Sequence, residues 1–293
     1  MSLRFDGRVA IVTGSGTGLG RSHALALAAR GAKVVVADMA GAETVAEEIR
    51  TAGGEALAAA VDVTNVAAVD AMVATIMDTW GRIDILINNA GILRDKTFAK
   101  LPIDDFRLVV EVHLMGAATC SKAVWPIMRE QNYGRILMTT STSGVYGNFG
   151  QSNYGAAKAG QVGLMNVLHL EGAKYGIAVN ALAPTAATRM TADLFDAESL
   201  AALKPEYVTP AALFLVSENA PSRTVLLAGA GTYARMAIIE SEGVFLPEDE
   251  RTPEAVAAAF DRIADMSSPS EFESGPQHVD RILSRAATAR RAG

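Results

Sequence analysis

The sequence predicts an α/β fold in which a doubly wound, parallel sheet carries helices on both faces. Apolar runs of strand length alternate with helical stretches from the N-terminus onward. The joints between them are short and rich in glycine, and residues suited to chemistry stand at the carboxyl ends of the apolar runs. Parallel neighbours need helical crossovers, and this alternation supplies them.

Residues 8–13 read as the first strand, and 18–30 as a helix that Gly31 ends. A second strand covers 33–38, followed by a helix over 43–52 and a third strand over 56–61. Asn65 is placed to cap a helix that reaches Trp80, and 83–87 is a fourth strand. A long helix spans 104–130, interrupted at Pro126 because proline removes a helical donor. A fifth strand at 135–139, a long helix at 152–175 and a sixth strand at 178–182 follow, then a last helix at 210–217 and strand at 224–228. The first 231 residues therefore read as one nucleotide-binding type of domain. Past Gly231 the alternation stops. Residues 234–246 read as a hairpin about Glu242-Gly243, and 253–266 as an alanine-rich helix with Pro253 in its first turn. This extension, 232–293, is expected to serve as an oligomer or substrate-side contact, being too short for a second catalytic domain.

Composition removes several function classes. The formal net charge of −6 leaves no basic footprint for nucleic acid and disfavours an anionic membrane surface. No apolar run approaches the roughly 18 residues that span a bilayer, and no signal-peptide core precedes the first strand. Cys120 is the sole cysteine, so no intrachain disulfide forms and a reducing compartment, the cytoplasm, is expected. His23, His113, His169 and His278 lack metal-ligand spacing, so no metal is expected.

The run Thr13-Gly14-Ser15-Gly16-Thr17-Gly18-Leu19-Gly20 joins the first strand to the first helix. Glycine there permits a tight turn and lets a pyrophosphate approach backbone N–H groups at a helix N-terminus. Gly14, Thr17, Gly18, Leu19 and Gly20 are the candidate contacts. Arg21 stands where a Walker loop requires lysine, which excludes that motif. Asp38 ends the second strand and is suited to the ribose hydroxyls of a dinucleotide; its charge would repel a 2′-phosphate, favouring NAD over NADP. Asp62 and Val63, after the third strand, are placed for the adenine, although Asp62 suits a helix-capping turn equally. Asn88-Asn89-Ala90-Gly91 closes the fourth strand. Asn89, Ala90 and Gly91 let backbone pass close beneath a cofactor, and the two amides can tie neighbouring strands.

Tyr154 and Lys158 stand four residues apart, on one face if the segment is helical. A free tyrosine titrates near 10, and an ammonium one turn away is expected to lower that value. Ser141, thirteen residues upstream, can hold a substrate oxygen while Tyr154 moves its proton; Ser143 is its rival. This is chemistry for a carbonyl/alcohol couple.

The loop at 14–20, Asp38, Asp62, the Asn-Asn-Ala-Gly run, Ser141, Tyr154-x-x-x-Lys158 and Asn180-Ala-Leu-Ala-Pro184 together resemble the short-chain dehydrogenase/reductase family over residues 5–231. The resemblance implies a Rossmann-type domain that transfers hydride between a nicotinamide and a carbonyl or secondary alcohol. It implies Tyr154 as acid/base, Lys158 as its partner and ribose contact, and Ser141 as orienter of the substrate oxygen. Residues 184–188, with Pro184, Ala187 and Thr188, would cover the nicotinamide. His113 occupies the place of the family's proton-relay asparagine and is the fourth catalytic candidate. The runs beginning at Tyr133, Tyr146, Arg189 and Ala202 look like the (3R)-hydroxyacyl-CoA dehydrogenase units of peroxisomal multifunctional enzymes, which also carry that histidine. An acyl-CoA alcohol, or a 17β-hydroxysteroid, is the substrate so implied. The family's use of its long helices as contacts implies a homodimer or homotetramer.

Overall fold

The computed structural model describes residues 3–187 and 196–292. Its contacts divide the chain into two units, Met1–Arg235 and Met236–Gly293.

The first unit is a Rossmann-type α/β domain. In chain order it comprises β1 (Val9–Thr13), α1 (Gly18–Ala28), β2 (Lys33–Asp38), α2 (Ala42–Thr51), β3 (Ala56–Ala60), α3 (Val66–Trp80) and β4 (Ile85–Asn88). Then come α4 (Ile103–Val110), a π-helical turn at Glu111–Met115, α5 (Gly116–Gln131), β5 (Gly134–Thr139), α6 (Thr142–Tyr146), α7 (Ser152–Gly172) and β6 (Ile177–Pro184). α8 (Ala197–Ala202), α9 (Thr209–Leu215), β7 (Val225–Gly229) and β8 (Thr232–Met236) complete the sheet domain. The strand order is β3-β2-β1-β4-β5-β6-β7-β8. The chain winds outward from β1 to β3, then restarts at β4 on the other side of β1. The crevice between the ends of β1 and β4 is therefore the topological switch point, where such sheets bind ligands. Register sets those ends level, with Val12 opposite Ile87 and Thr13 opposite Ala37.

The central strands are apolar on both faces because both faces are covered. Ile11, Ile85, Leu86, Ile87, Ile136, Leu137 and Met138 are fully buried. Asn65 caps α3 by accepting from Ala68 N at 3.1 Å, as its position in the sequence predicts, and Gly81 in the left-handed region ends that helix. At the amino end of the sheet, buried Asp84 accepts from Arg8 Nη1 (3.0 Å), Arg82 Nε (2.8 Å) and Val9 N (2.9 Å). Burial pushes its carboxyl up, but the Arg82, Val9 and Arg8 hydrogen bonds outweigh that and hold it below the ordinary aspartate value. That end of the sheet is stapled by charge, leaving the carboxyl end for chemistry. Among the described residues no helix is long and apolar enough to cross a membrane.

Two expectations are corrected. Pro126 does not interrupt its helix: α5 continues through it, since one missing donor is tolerated where Val124 and Met128 are buried on either side. The break falls instead at the π-helical turn before α5, which sequence periodicity does not reveal. The hairpin expected over 234–246 lies earlier. Ala230 (φ 49°) and Gly231 (φ 75°) make a two-residue turn between β7 and β8, so β8 belongs to the main sheet.

The second unit holds β9 (Ile239–Glu240), α10 (Pro253–Ala258), α11 (Phe260–Ile263), β10 (Ser270–Glu271) and α12 (Gly275–Ala292). β9 and β10 pair antiparallel, and α12 docks by Arg281 Nη2 donating to the carbonyls of Ser241 (2.9 Å) and Glu242 (2.8 Å).

His23 on α1 is completely buried, with Nδ1 2.9 Å from the Thr209 hydroxyl of α9. Burial lowers its pKa from 6.5 to about 4. The folded state keeps this ring neutral while the unfolded chain protonates it below 6.5, so stability is lost as pH falls through that value. From pH 7 to pH 5 the loss should be roughly 2 kcal/mol. Urea midpoints of the wild type and His23→Gln at both pH values check this: the variant should lose less on acidification, and parallel losses would contradict the assignment.

Candidate active site

The glycine loop is shaped by contacts that a Cβ would break. Gly14 and Gly18 lie in the left-handed region, at φ 63° and 58°. A Cβ on Gly14 would stand 2.7 Å from Ala90 Cα, on Gly16 2.1 Å from Ala40 O, and on Gly20 2.3 Å from Gly14 O. The loop is thus pressed against the segment after β4 and against the end of β2. Asn89 fixes the first of these contacts. Its Nδ2 donates to Thr13 O and Gly14 O, both at 3.0 Å, while the Thr13 hydroxyl accepts from Asn89 N (3.0 Å) and Ala90 N (3.1 Å). Asp38 fixes the second, accepting from Gly16 N at 2.8 Å and Ala40 N at 3.1 Å. Each of its oxygens retains a further lone pair, so a pair of ribose hydroxyls can still be accepted. Thr17 is the N-cap residue of α1, in extended conformation, and Leu19 packs on the core. A helix N-terminus behind a glycine cradle, with a carboxylate at the next strand end, is a donor set that fits a dinucleotide.

Asp62 accepts from Thr64 N (2.9 Å) and the Thr64 hydroxyl (2.8 Å), which is a turn built around a carboxylate. Val63 is buried against Gly116. Gly91 lies against the His113 ring, where a Cβ would come within 2.2 Å of Cε1. Pro184 ends β6, and Ala187 N donates to Leu203 O at 2.6 Å. Thr188 and the run from Arg189 lie outside the described residues.

Tyr154 and Lys158 share one face of α7, with the Lys158 Nζ 5.5 Å from the Tyr154 ring centre. Lys158 is buried and donates to the Thr139 carbonyl at the end of β5. Burial lowers its pKa to about 7. Tyr154 does not behave as its neighbour in sequence suggests. Burial raises its pKa above the ordinary tyrosine value, a hydrogen bond with Ser141 pulls it back, and the Asp95 carboxylate raises it again. The expected lowering by Lys158 is therefore corrected: desolvation dominates both groups, and the amine is directed at a carbonyl.

Ser141 is the N-cap of α6, its Oγ accepting from Ser143 N at 3.1 Å. Its own proton is then free to point at the Tyr154 oxygen. Ser143 is held elsewhere, donating to Gln151 Oε1 at 2.7 Å. Geometry thus separates the two serines.

His113 sits on the π-helical turn, a device that recurs at functional sites. Its ring meets Tyr154 edge-on, centres 5.1 Å apart. Nε2 lies 2.7 Å from Ile92 O and 3.0 Å from Ile92 N, and burial together with the nearby Lys158 lowers its pKa to about 3. The ring is neutral and wedged between Gly91 and Tyr154, while its main-chain carbonyl accepts from Gln161 Nε2 at 2.8 Å.

Several residues were not visible as site residues in the sequence. Asn153 is fully buried, accepts from Tyr154 N at 2.8 Å and donates to Arg94 O at 3.0 Å. Gln151 bridges Asp95 (2.6 Å) and Ser143. Their signal was polarity at positions adjacent to Tyr154 on a helix whose start faces inward.

Comparison with known proteins decides the family. The short chain dehydrogenase model matches residues 8–199. The chain belongs to the short-chain dehydrogenase family. It is 44% identical over 283 residues to peroxisomal multifunctional enzyme type 2 of Mus musculus, covering 92% of this chain and 38% of that protein. A putative short-chain type dehydrogenase/reductase of Mycobacterium tuberculosis is 44% identical over 272 residues, covering 89% of this chain and 95% of that one. The solved full-length peroxisomal multifunctional enzyme type 2 of Drosophila melanogaster superposes with TM-score 0.84 at 38% identity, over 98% of this chain and 50% of that chain. A 7α-hydroxysteroid dehydrogenase, solved with NADH and 7-oxo glycochenodeoxycholic acid, superposes with TM-score 0.73 at 32% identity, over 78% of this chain and 95% of that one. The chain thus spans only about a third to a half of the mouse, Neurospora and Drosophila multifunctional enzymes. As a short-chain dehydrogenase it is an oxidoreductase.

The loop geometry predicts that Gly16→Ala parts the loop from Ala40. Overpacking of about 1–3 kcal/mol, if carried wholly by the bound state, corresponds to roughly 5- to 150-fold weaker dinucleotide binding. Fluorescence titration with NADH, beside circular dichroism of the variant, measures it; an unchanged Kd would contradict the cradle.

Proposed function

We propose that this chain is an NAD-dependent dehydrogenase that oxidises 3-hydroxyacyl-CoA to 3-oxoacyl-CoA. The observation that carries the proposal is the grouping of Tyr154 with buried Lys158, Nζ 5.5 Å from its ring centre, and with Ser141 at the start of α6, at the end of the sheet that also bears the glycine cradle. The 44% identity to peroxisomal multifunctional enzyme type 2 supports the substrate class.

The dinucleotide, when bound, supplies a hydride acceptor and a positive ring that favours nearby anions. Ser141 donates to the substrate oxygen and orients it. Tyr154 takes the alcohol proton as the C3 hydrogen leaves as hydride, and in the reverse direction returns it. Lys158, with its pKa near neutrality, is poised to share that proton or to hold a ribose hydroxyl. His113 acts on this set by packing: its neutral ring fixes the plane of Tyr154, and its carbonyl is tied to α7 through Gln161. Asn153 fixes the start of the same helix from the other side. Pro184, Ala187 and Thr188 are proposed to cover the nicotinamide, and Asp62 and Val63 to flank the adenine.

NAD is favoured over NADP because Asp38 would face a 2′-phosphate with like charge, and exposed Met39 beside it offers no cation. A second reading keeps the machinery and changes the alcohol. The likeness to the 7α-hydroxysteroid dehydrogenase favours a hydroxysteroid. An NAD-binding sensor without turnover has less support, since it needs no tyrosine held against a serine. Val167 and Leu170 on α7 and Leu108 on α4 are exposed apolar side chains, consistent with a homodimer or homotetramer built on the long helices. Buried Cys120 suits a reducing compartment, and the cytoplasm is the proposed location; the relatives' names supply the peroxisome as the competitor.

Tyr154→Phe should lower turnover by about 10²–10⁴-fold and leave NADH affinity nearly intact. Stopped-flow and fluorescence titration measure the two, and wild-type turnover in the variant would end the assignment. Because burial holds the phenol protonated, oxidation should speed up as pH rises from 7 and reduction should slow; pH profiles of kcat/KM in the same direction for both would contradict the base. Asp38→Ala should erode the preference for NAD over NADP, read as the ratio of their kcat/KM values.

A further inference from the structure

The segment after β4 crosses the mouth of the site and is pinned to it by its main chain. Ile92 contacts the His113 ring, Arg94 O accepts from Asn153 immediately before Tyr154, and Lys96 N donates to Gly150 O at 3.0 Å in the loop entering α7. The side chains of Arg94 and Lys96 are left pointing outward, with 49% and 52% of their surface exposed. Both approach a single carboxylate, that of Asp105, at 3.8 and 3.7 Å, which is longer than a hydrogen bond. The intervening Asp95 is engaged with Gln151. Asp95 and Asp105 balance the two cations in formal charge, but Asp105 stands 3.7–3.8 Å away and Asp95 is turned to Gln151, so both cations are only loosely paired. The same two segments carry exposed aromatic side chains: Phe98 is 76% exposed, Phe149 88% and Tyr146 70%. A rim with aromatic walls and loosely paired, exposed cations suits a ligand with an apolar arm and a strongly anionic end.

We propose that Arg94 and Lys96 form the anion subsite that receives the phosphorylated nucleotide end of a coenzyme A thioester, while Phe98, Tyr146 and Phe149 flank its pantetheine arm. The inference rests on the acyl-CoA reading above and adds the residues that select it. Loosely paired, exposed cations hold a polyphosphate better than they hold Asp105, because several phosphate oxygens can be contacted at once. The contribution is electrostatic and should fall with ionic strength.

The test compares the intact enzyme with Arg94→Glu/Lys96→Glu on two substrates, 3-hydroxybutyryl-CoA and the same acyl group on N-acetylcysteamine, which lacks the nucleotide. The neutral pair Arg94→Gln/Lys96→Gln provides a second variant should the reversal fold poorly. In the reversal variant kcat/KM for the CoA thioester should fall at least about tenfold, through KM, in low salt. The loss should shrink in high salt, and the truncated thioester and NAD Kd should shift less than about twofold. Equal losses on both thioesters, no loss on either, or a matching loss of NAD affinity would overturn the subsite. If wild type oxidises neither thioester but does oxidise a hydroxysteroid, the acyl-CoA reading itself has failed and the subsite falls with it. That outcome is visible before any variant is measured.

Discussion

The structure depends on how closely two backbones pass at the switch point. The turn after β1 and the segment after β4 touch at Gly14 and Ala90, and the Thr13–Asn89 hydrogen bonds hold them there. Everything chemical is built outward from this contact. It makes room for glycine alone at position 14, sets α1 with its N-terminus toward the crevice, and carries the segment after β4 across to Tyr154. The opposite end of the sheet is closed by Asp84 and its two arginines, so one edge is stapled and the other is available.

Burial then sets the protonation states. Lys158 is brought to about 7 and His113 to about 3, while Tyr154 is raised. A buried amine that titrates near neutrality can exchange a proton, whereas an exposed one would stay charged throughout the physiological range. The neutral His113 ring adds no charge of its own next to the phenol. Three ionisable groups thus occupy one pocket with little mutual repulsion.

The alternation of strands and helices, the glycine loop, Asp38, Asn65 as a cap, and the Ser141/Tyr154/Lys158 spacing were legible because each has a local cause: periodicity, turn chemistry or helical register. What remained hidden depends on contacts between distant segments. Lys158 was expected to act on Tyr154 through charge, yet its surroundings desolvate it, and depth cannot be read from a four-residue spacing. The π-helical turn bears a His113 ring that lies against Gly91, a residue 22 positions away, and no local pattern announces either. Gln151 and Asn153 read as ordinary polar residues until Asp95 and Arg94 are brought beside them. The two-residue turn at Ala230-Gly231 and the Glu242-Gly243 pair look alike in sequence, because both carry glycine and only sheet pairing distinguishes them.

On the proposed function, a desolvated Tyr154 becomes a usable base when a positively charged nicotinamide arrives beside it. Carbon-13 labelling of the tyrosine ring carbon bearing the hydroxyl, with Tyr154→Phe to assign the signal, follows this titration directly by NMR. The account predicts a phenol that titrates above the ordinary tyrosine value in the free protein and shifts markedly toward neutrality with saturating NAD. A Tyr154 signal whose titration is the same with and without NAD would contradict it.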